Sequence, residues 1–139
     1  MPRQYVRIRV GEVACLIPLG DVLEVLRPLA VEPVAGMPAW VRGVALVRGA
    51  PTPVVALGTL LGIRAGEPRR WVRIRGDRGA TVLEADEVFG VVEMEAGELP
   101  ALLRERGGAL AAVAARDAEL LRVLEAARVQ PPAPGGARA

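Results

Sequence analysis

The chain reads as an all-β protein of two small antiparallel barrels packed together. Three observations predict this: an internal duplication, strict apolar/polar alternation at the start of each copy, and short apolar runs set between closely spaced turn signals. With 139 residues, it is expected to form a single domain over 1–128, with repeat copies starting near 5 and 71, and a disordered Pro/Gly-rich tail at 129–139.

Sliding the sequence along itself by 66 residues aligns 5–25 with 71–91 without a gap, and seven of 21 positions are identical. They are Val6/Val72, Arg7/Arg73, Ile8/Ile74, Arg9/Arg75, Ala14/Ala80, Val22/Val88 and Val25/Val91. Each copy opens on period 2: Val6, Ile8 and Val10 alternate with Tyr5, Arg7 and Arg9, as Val72 and Ile74 do with Trp71, Arg73 and Arg75. That pattern predicts half-buried strands. Gly11-Glu12 is a turn signal, and Val13–Ile17 returns as the second strand of a hairpin. Asp21–Leu26 suits a short helical turn or a strand, ended by Arg27-Pro28. After turn residues Gly36–Trp40, a second hairpin is predicted with strands Val41–Val47 and Thr52–Leu57 around Arg48-Gly49-Ala50-Pro51. Gly62–Arg70 is the linker between copies.

Residues 109–128 are rich in Ala, Leu, Glu and Arg and have good helix propensity. The 66-residue offset nevertheless places Leu110–Ala115 on Val44–Gly49 and Leu120–Val123 on Val54–Leu57. This predicts a second-copy hairpin, strands 109–115 and 119–124, turning near Arg116-Asp117-Ala118, with a short terminal helix after it. Neither copy, at roughly 65 residues, buries much surface alone. A joint core is therefore expected, and the seam between barrels is a natural binding groove.

Composition excludes much chemistry. The chain has no His, Lys, Ser or Asn, so all 18 basic residues are Arg. Ser-His and Cys-His nucleophilic dyads, Schiff-base lysines, a P-loop lysine and histidine-ligated metals are ruled out. The expectation is no enzyme, no metal and no cofactor. The acids Glu84, Asp86, Glu87, Glu93, Glu95 and Glu98 lack the spacing of a calcium loop and suit a solvated face. Cys15, the single cysteine, lies among apolar neighbours as a core thiol and suits a reducing compartment. No apolar run reaches membrane-spanning length and no signal segment opens the chain, so a cytoplasmic protein without membrane insertion is expected. Net charge is +2, but 1–75 holds 11 Arg against 5 acids and 76–139 holds 7 against 11. Such asymmetry suits different surfaces for different partners, although the solvated faces of a small domain give the same arithmetic. An alternative reading takes Tyr5, Arg7 and Arg9 with Trp71, Arg73 and Arg75 as a basic aromatic face for single-stranded nucleic acid; the low net charge and scarcity of aromatics oppose it, and no nucleic-acid partner is expected.

The residues from 5 to 128, most densely 10–60, resemble the CheW-like chemotaxis coupling proteins, whose domain also ends the CheA-type histidine kinases. The resemblance is carried by the Gly11-Glu12 turn, by Val22, Glu24 and Val25, by Pro38-Ala39-Trp40-Val41-Arg42-Gly43-Val44, by Val47-Arg48-Gly49 and by Pro53–Leu57. In the second copy, Ala85–Val91 is similar to a further family segment. The resemblance implies two five-stranded SH3-like barrels forming a non-catalytic adaptor. It implies one surface for the regulatory domain of a CheA-type kinase and an inter-barrel groove for the cytoplasmic tip of a methyl-accepting chemoreceptor. An Arg-Glu pair of the family falls on Arg48 and Glu24. Val22, Val25 and Val44 are expected to supply contact area, Arg48, Glu24 and Arg42 to set register, and Gly43 and Gly49 to complete the partner-binding set. Where many members have Asn, Leu and Asp, this chain has Leu46, Val47 and Ala56, which alters the hydrogen bonding expected around Arg48.

Overall fold

A computed structural model describes residues 2–95 and 110–132. β1 (Arg3–Val10) and β2 (Val13–Pro18) form the first hairpin, and a 3₁₀ turn (Leu19–Asp21) leads into β3 (Val22–Leu26). β4 (Val41–Val47) and β5 (Ala50–Val55) form the second hairpin, followed by one helical turn, α1 (Leu57–Leu61). The second copy supplies β6 (Arg70–Ile74), β7 (Thr81–Ala85), β8 (Glu87–Met94), β9 (Leu110–Arg116) and β10 (Glu119–Leu124), closed by a 3₁₀ turn (Ala126–Val129). Two five-stranded sheets result, with orders β8-β1-β2-β10-β9 and β3-β6-β7-β5-β4. The expected all-β architecture is present, and Asp21–Leu26 resolves into turn plus strand.

The strand orders reveal an exchange that the duplication alone does not disclose. Neither sheet is one copy: the first combines the β1–β2 hairpin with β8, β9 and β10, and the second combines β6–β7 with β3, β4 and β5. The register repeats across the two sheets. Val22, Glu24, Val25 and Leu26 of β3 pair with Ile74, Arg73, Val72 and Trp71 of β6, while Val88, Gly90, Val91 and Val92 of β8 pair with Ile8, Arg7, Val6 and Tyr5 of β1. Both ladders shift register at the same place, which leaves Leu23 and Phe89 as the unpaired bulge residues. Of the pairings between copies these two are antiparallel, and two more are parallel, β2 with β10 and β5 with β7.

Exchange explains burial on both faces of the opening strands. Ile8, Val10, Cys15 and Ile17 from one sheet meet Val55, Leu57, Val72, Ile74 and Leu83 from the other in a shared core. On their opposite faces, Tyr5 packs with Leu16, Met94 and Leu121, and Trp71 with Ala45, Val47, Val54 and Val82, each group inside its own sheet. The unbroken apolar run Val13–Ile17 follows, because a strand covered on both sides needs no polar face. Tyr5 and Trp71 are therefore 1% exposed each, so the alternative reading of them as an aromatic face for single-stranded nucleic acid loses its stacking platforms.

Residues 110–124 adopt the hairpin rather than a helix. Period 2 overrides propensity here: Leu121 and Val123 are buried while Leu120 faces out, a division that a strand beside β2 satisfies and a helix would not. The offset is corrected, however. Val47↔Ala50 flank the turn Arg48-Gly49, and Arg116↔Glu119 flank Asp117-Ala118, so the second hairpins correspond at 69 residues rather than 66. The three additional residues belong to the connection between β8 and β9. Residues 129 and 130, expected to belong to the tail, are packed against the fold. Val129 is fully buried in the shared core and Gln130 accepts a hydrogen bond from Thr81 at 2.9 Å; residues 133–139 lie outside the described residues.

Both second hairpins turn through two residues of positive φ, Arg48 (51°) and Gly49 (77°) in one copy, Asp117 (52°) and Ala118 (62°) in the other. Such turns match strand twist but carry a steric penalty for any Cβ. Ala118→Gly is expected to stabilise the protein by about 1 kcal/mol and raise Tm by about 3–4 °C, and Gly49→Ala to lower it by a similar amount; thermal melts of the two variants check this.

Candidate functional site

The site is built around Glu24. Pairing in the exchanged sheet puts Glu24 on β3 directly opposite Arg73 on β6, and Arg73 Nη1 donates to Glu24 Oε2 at 2.9 Å. Arg48, at the tip of the β4–β5 turn, reaches the same carboxylate with its fork: Nε to Oε2 at 2.8 Å and Nη2 to Oε1 at 2.7 Å. β3 and β4 are the outer strands of the sheet order, so this bidentate contact ties the two free edges together and closes the sheet into a barrel. Closing it this way also disposes of open edges. The hydrogen bond from Arg48 holds the Glu24 carboxyl below the usual carboxylate range, aided by the charges of Arg48 and Arg73 and opposed by partial burial. Two guanidinium groups around one carboxylate leave a net charge of about +1, and it is presented outward: the Arg48 side chain is 71% exposed against 19% for Glu24.

Apolar surface surrounds this charge on the same strands. Val25 and the bulge residue Leu23 on β3 are exposed, and Leu46, two residues before Arg48, is 69% exposed. Leu46 occupies the position at which the resemblance expects Asn, so an apolar side chain replaces a polar one at the mouth of the barrel. Leu46 and Leu23 are not among the partner-binding residues expected from sequence, and Arg73 is named there only for the alternative nucleic-acid face. Its place beside Glu24 becomes visible only through cross-copy pairing, and Leu23 only through the bulge.

The remaining expected residues do not all join this cluster. Val22 is half-buried against the shared core. Arg42 turns to the next ion pair, its Nε donating to Glu84 Oε2 at 2.7 Å. Glu84 is buried, and burial pushes its carboxyl above the usual range while the Arg42 hydrogen bond and charge oppose the shift. Its cross-strand neighbour Trp71 also opposes the shift through its buried indole N–H, which is otherwise without a hydrogen-bond partner. Gly43 (φ 154°) lets the 27–40 loop lie on β4: a Cβ there would overlap the Glu32 carbonyl. Val44 and Glu32 exchange two backbone hydrogen bonds at 2.8 Å across that contact. Gly49 is the second turn residue, described above.

At the corresponding end of the other sheet the arrangement differs. Arg7 matches Arg73, but Gly90 stands where Glu24 would, and Asp117 where Arg48 would. Arg7 pairs instead with Glu119 at 2.6 Å and lies 5.9 Å from the centre of the Phe89 ring. Arg116 Nη2 donates to the Glu93 carbonyl at 2.7 Å, joining outer strands β9 and β8. Phe89 and Val91 are more than half exposed, so this end too presents apolar surface beside its paired charges.

Cys15 is fully buried, and burial pushes its thiol up to about 12, which keeps it an unreactive neutral thiol. Among the described residues no cluster of acids and cysteine is placed to hold a metal, and no helix is long and apolar enough to cross a membrane. The arginines of the alternative nucleic-acid face are engaged within the fold: Arg9 with Asp86 and Glu87, both at 3.6 Å, and Arg75 with the Gly20 carbonyl at 3.1 Å.

Comparison with known proteins agrees with this geometry. A family model described as CheW-like domain matches residues 4–130. Among solved structures, the chain is similar to the scaffolding protein TtCheW from Thermoanaerobacter tengcongensis, with a TM-score of 0.80 and 18% identity over 93% of this chain and 92% of that one. Comparison with curated proteins gives no match.

Two carboxylates with opposite environments make opposite contributions to stability. Glu24 is more acidic folded than unfolded, so its contribution is complete above the ordinary carboxylate range, near pH 4.3, and disappears as pH falls through its lower folded value. The destabilisation caused by Glu24→Gln should therefore shrink on acidification. Glu84 is less acidic folded, so its contribution is complete below that range and is lost as pH rises through the folded value. Glu84→Gln should accordingly gain stability relative to the parent as pH rises from about 4 to 7. Denaturant titrations across that range check both signs. Gly43→Ala, which forces the 27–40 loop off β4, is expected to cost at least about 2 kcal/mol in the same assay.

Proposed function

Because the chain belongs to the CheW-like domain family, we propose that it is a non-catalytic scaffold of a chemosensory pathway, holding the regulatory domain of a CheA-type histidine kinase and the cytoplasmic tip of a methyl-accepting chemoreceptor on one body in the cytoplasm. The observation that carries this reading is the outward-facing Arg48, held by a two-pronged contact with Glu24, on strands that also expose Leu23, Val25 and Leu46.

A docking surface of this kind needs apolar area for affinity and a fixed charge for register. Long arginine side chains normally lose rotamer freedom on binding. The bidentate contact with Glu24 removes that freedom beforehand, so less is lost when a partner arrives. A partner carboxylate can use the outward part of the Arg48 guanidinium, while a partner helix or loop covers the surrounding Leu and Val side chains. The second end, around Phe89 and Val91, supplies a different surface for a different partner. Two partners held together on one scaffold meet at a raised effective concentration, which is the whole of the proposed mechanism and requires no bond to be made or broken.

Calorimetric titration with a kinase regulatory domain and with a soluble receptor-tip fragment tests the proposal. Arg48→Glu reverses the presented charge and is expected to weaken one of the two associations at least about tenfold while shifting Tm by only a few degrees, since an exposed ion pair contributes little to folding. If neither fragment binds the parent protein, the scaffold reading fails. If Arg48→Glu melts far lower yet binds fully, Arg48 is a structural residue and not a docking one.

A further inference from the structure

Among the described residues, every pairing between strands not joined by a hairpin turn runs between the two halves of the chain: β1 with β8, β2 with β10, β3 with β6 and β5 with β7. Inside a half the described strands pair only as hairpins, β1–β2 and β4–β5 before residue 62, β6–β7 and β9–β10 after residue 69, to which the first half adds the Glu32–Val44 bridge and the Glu24–Arg48 ion pair. A half by itself is thus a pair of separate hairpins with a strand beside them, and isolated hairpins are marginal in water. The shared core is divided in the same way, Ile8, Ile17 and Leu57 from the first half against Ile74, Leu83 and Leu124 from the second. The halves are joined by a strap, 62–69, that is neither helix nor strand and is exposed at 64–67.

We infer that the chain is a covalently tethered pseudo-dimer, and that a second copy of the same chain can supply either half. The interaction surface is the inter-half face itself. When residues 1–61 of one molecule meet 70–132 of another, all four inter-half ladders and the shared core form again. Reciprocal exchange therefore loses no native contact between halves and forgoes the packing of the strap on Gly11 and Asp86 together with the effective concentration the strap provides, on the order of millimolar for a short tether. Dilute protein refolds within one chain. Chains refolded at high concentration exchange halves.

Two experiments on the full-length protein test this. In the first, a protease site is inserted between Gly66 and Glu67 and the folded protein is cut there. The two pieces are expected to elute together with unchanged circular dichroism and, after denaturation, to refold in a second-order reaction whose initial rate per molecule drops about tenfold on tenfold dilution. Pieces that part on cutting, that fold singly, or that refold at a rate independent of concentration overturn the inference. In the second, two full-length variants are prepared, Ile8→Asp/Ile17→Asp and Ile74→Asp/Leu83→Asp, each broken in one half. Separately neither should show a cooperative melt. Refolded together at equal concentration, they should form a complex of twice the monomer mass with about half the native signal. A mixture whose spectrum equals the sum of the separate ones overturns exchange between copies.

Discussion

Tyr5 and Trp71 face the interiors of their own sheets while Val6, Ile8, Val72 and Ile74 face the core between the sheets, so the opening strand of each copy has no free side. Almost every other feature follows from that double burial. A strand covered on both faces cannot carry the exposed basic stripe that its alternation suggests, so Arg7 and Arg73, two positions beyond the aromatics, come out at the barrel ends and must find acids there. The strands that supply those ends come from the opposite copy, because exchange is what brings β3 to β6 and β8 to β1. A chain with only four aromatics, filling its cores with Val, Leu and Ala, gains from this arrangement, since interleaved sheets bury more aliphatic surface than two separate small barrels would.

Charge performs the closure that hydrogen-bond ladders leave undone. In one sheet the outer strands β3 and β4 are joined through Glu24 and Arg48, and in the other β8 and β9 through Arg116 and a backbone carbonyl. The same Arg48 that closes an edge is also the most exposed part of the cluster, so the residue that completes the barrel is the one available to a partner. The two carboxylates of this sheet illustrate how environment sets chemistry: Glu24, three times hydrogen-bonded, is held ionised, whereas Glu84, buried beside Trp71 with one arginine contact, is pushed toward protonation.

Much of this was legible in the sequence, for identifiable reasons. Identities at a 66-residue spacing and period 2 at Val6–Val10 and Val72–Ile74 revealed the repeat and its strands, and the same repeat argued against a helix over 109–128 despite its composition. The pairing of Arg48 with Glu24 was expected from the family resemblance, and the geometry contains it. Strand exchange was not legible, because alternation says which residues share a face but not which copy provides the neighbouring strand. Tyr5 and Trp71 looked exposed for that reason, sharing their face with arginines. The three-residue error in the second hairpin arose because Ala-rich strands align almost equally well at several offsets. The ion pair of Arg42 was not legible either, since its acid Glu84 belongs to β7, which reaches β5 only through the parallel cross-copy pairing.

The near-twofold relation between the sheets breaks down at their ends, where Gly90 and Asp117 stand in place of Glu24 and Arg48. Had those positions matched, a ligand fitting one mouth would have fitted the other equally, and the molecule would have been a symmetric linker able to join two identical guests. Substitution at just these places gives it polarity, one pole with a surplus positive charge and one whose arginine is matched by an acid, so that whatever chain of assemblies it enters must run in a defined direction.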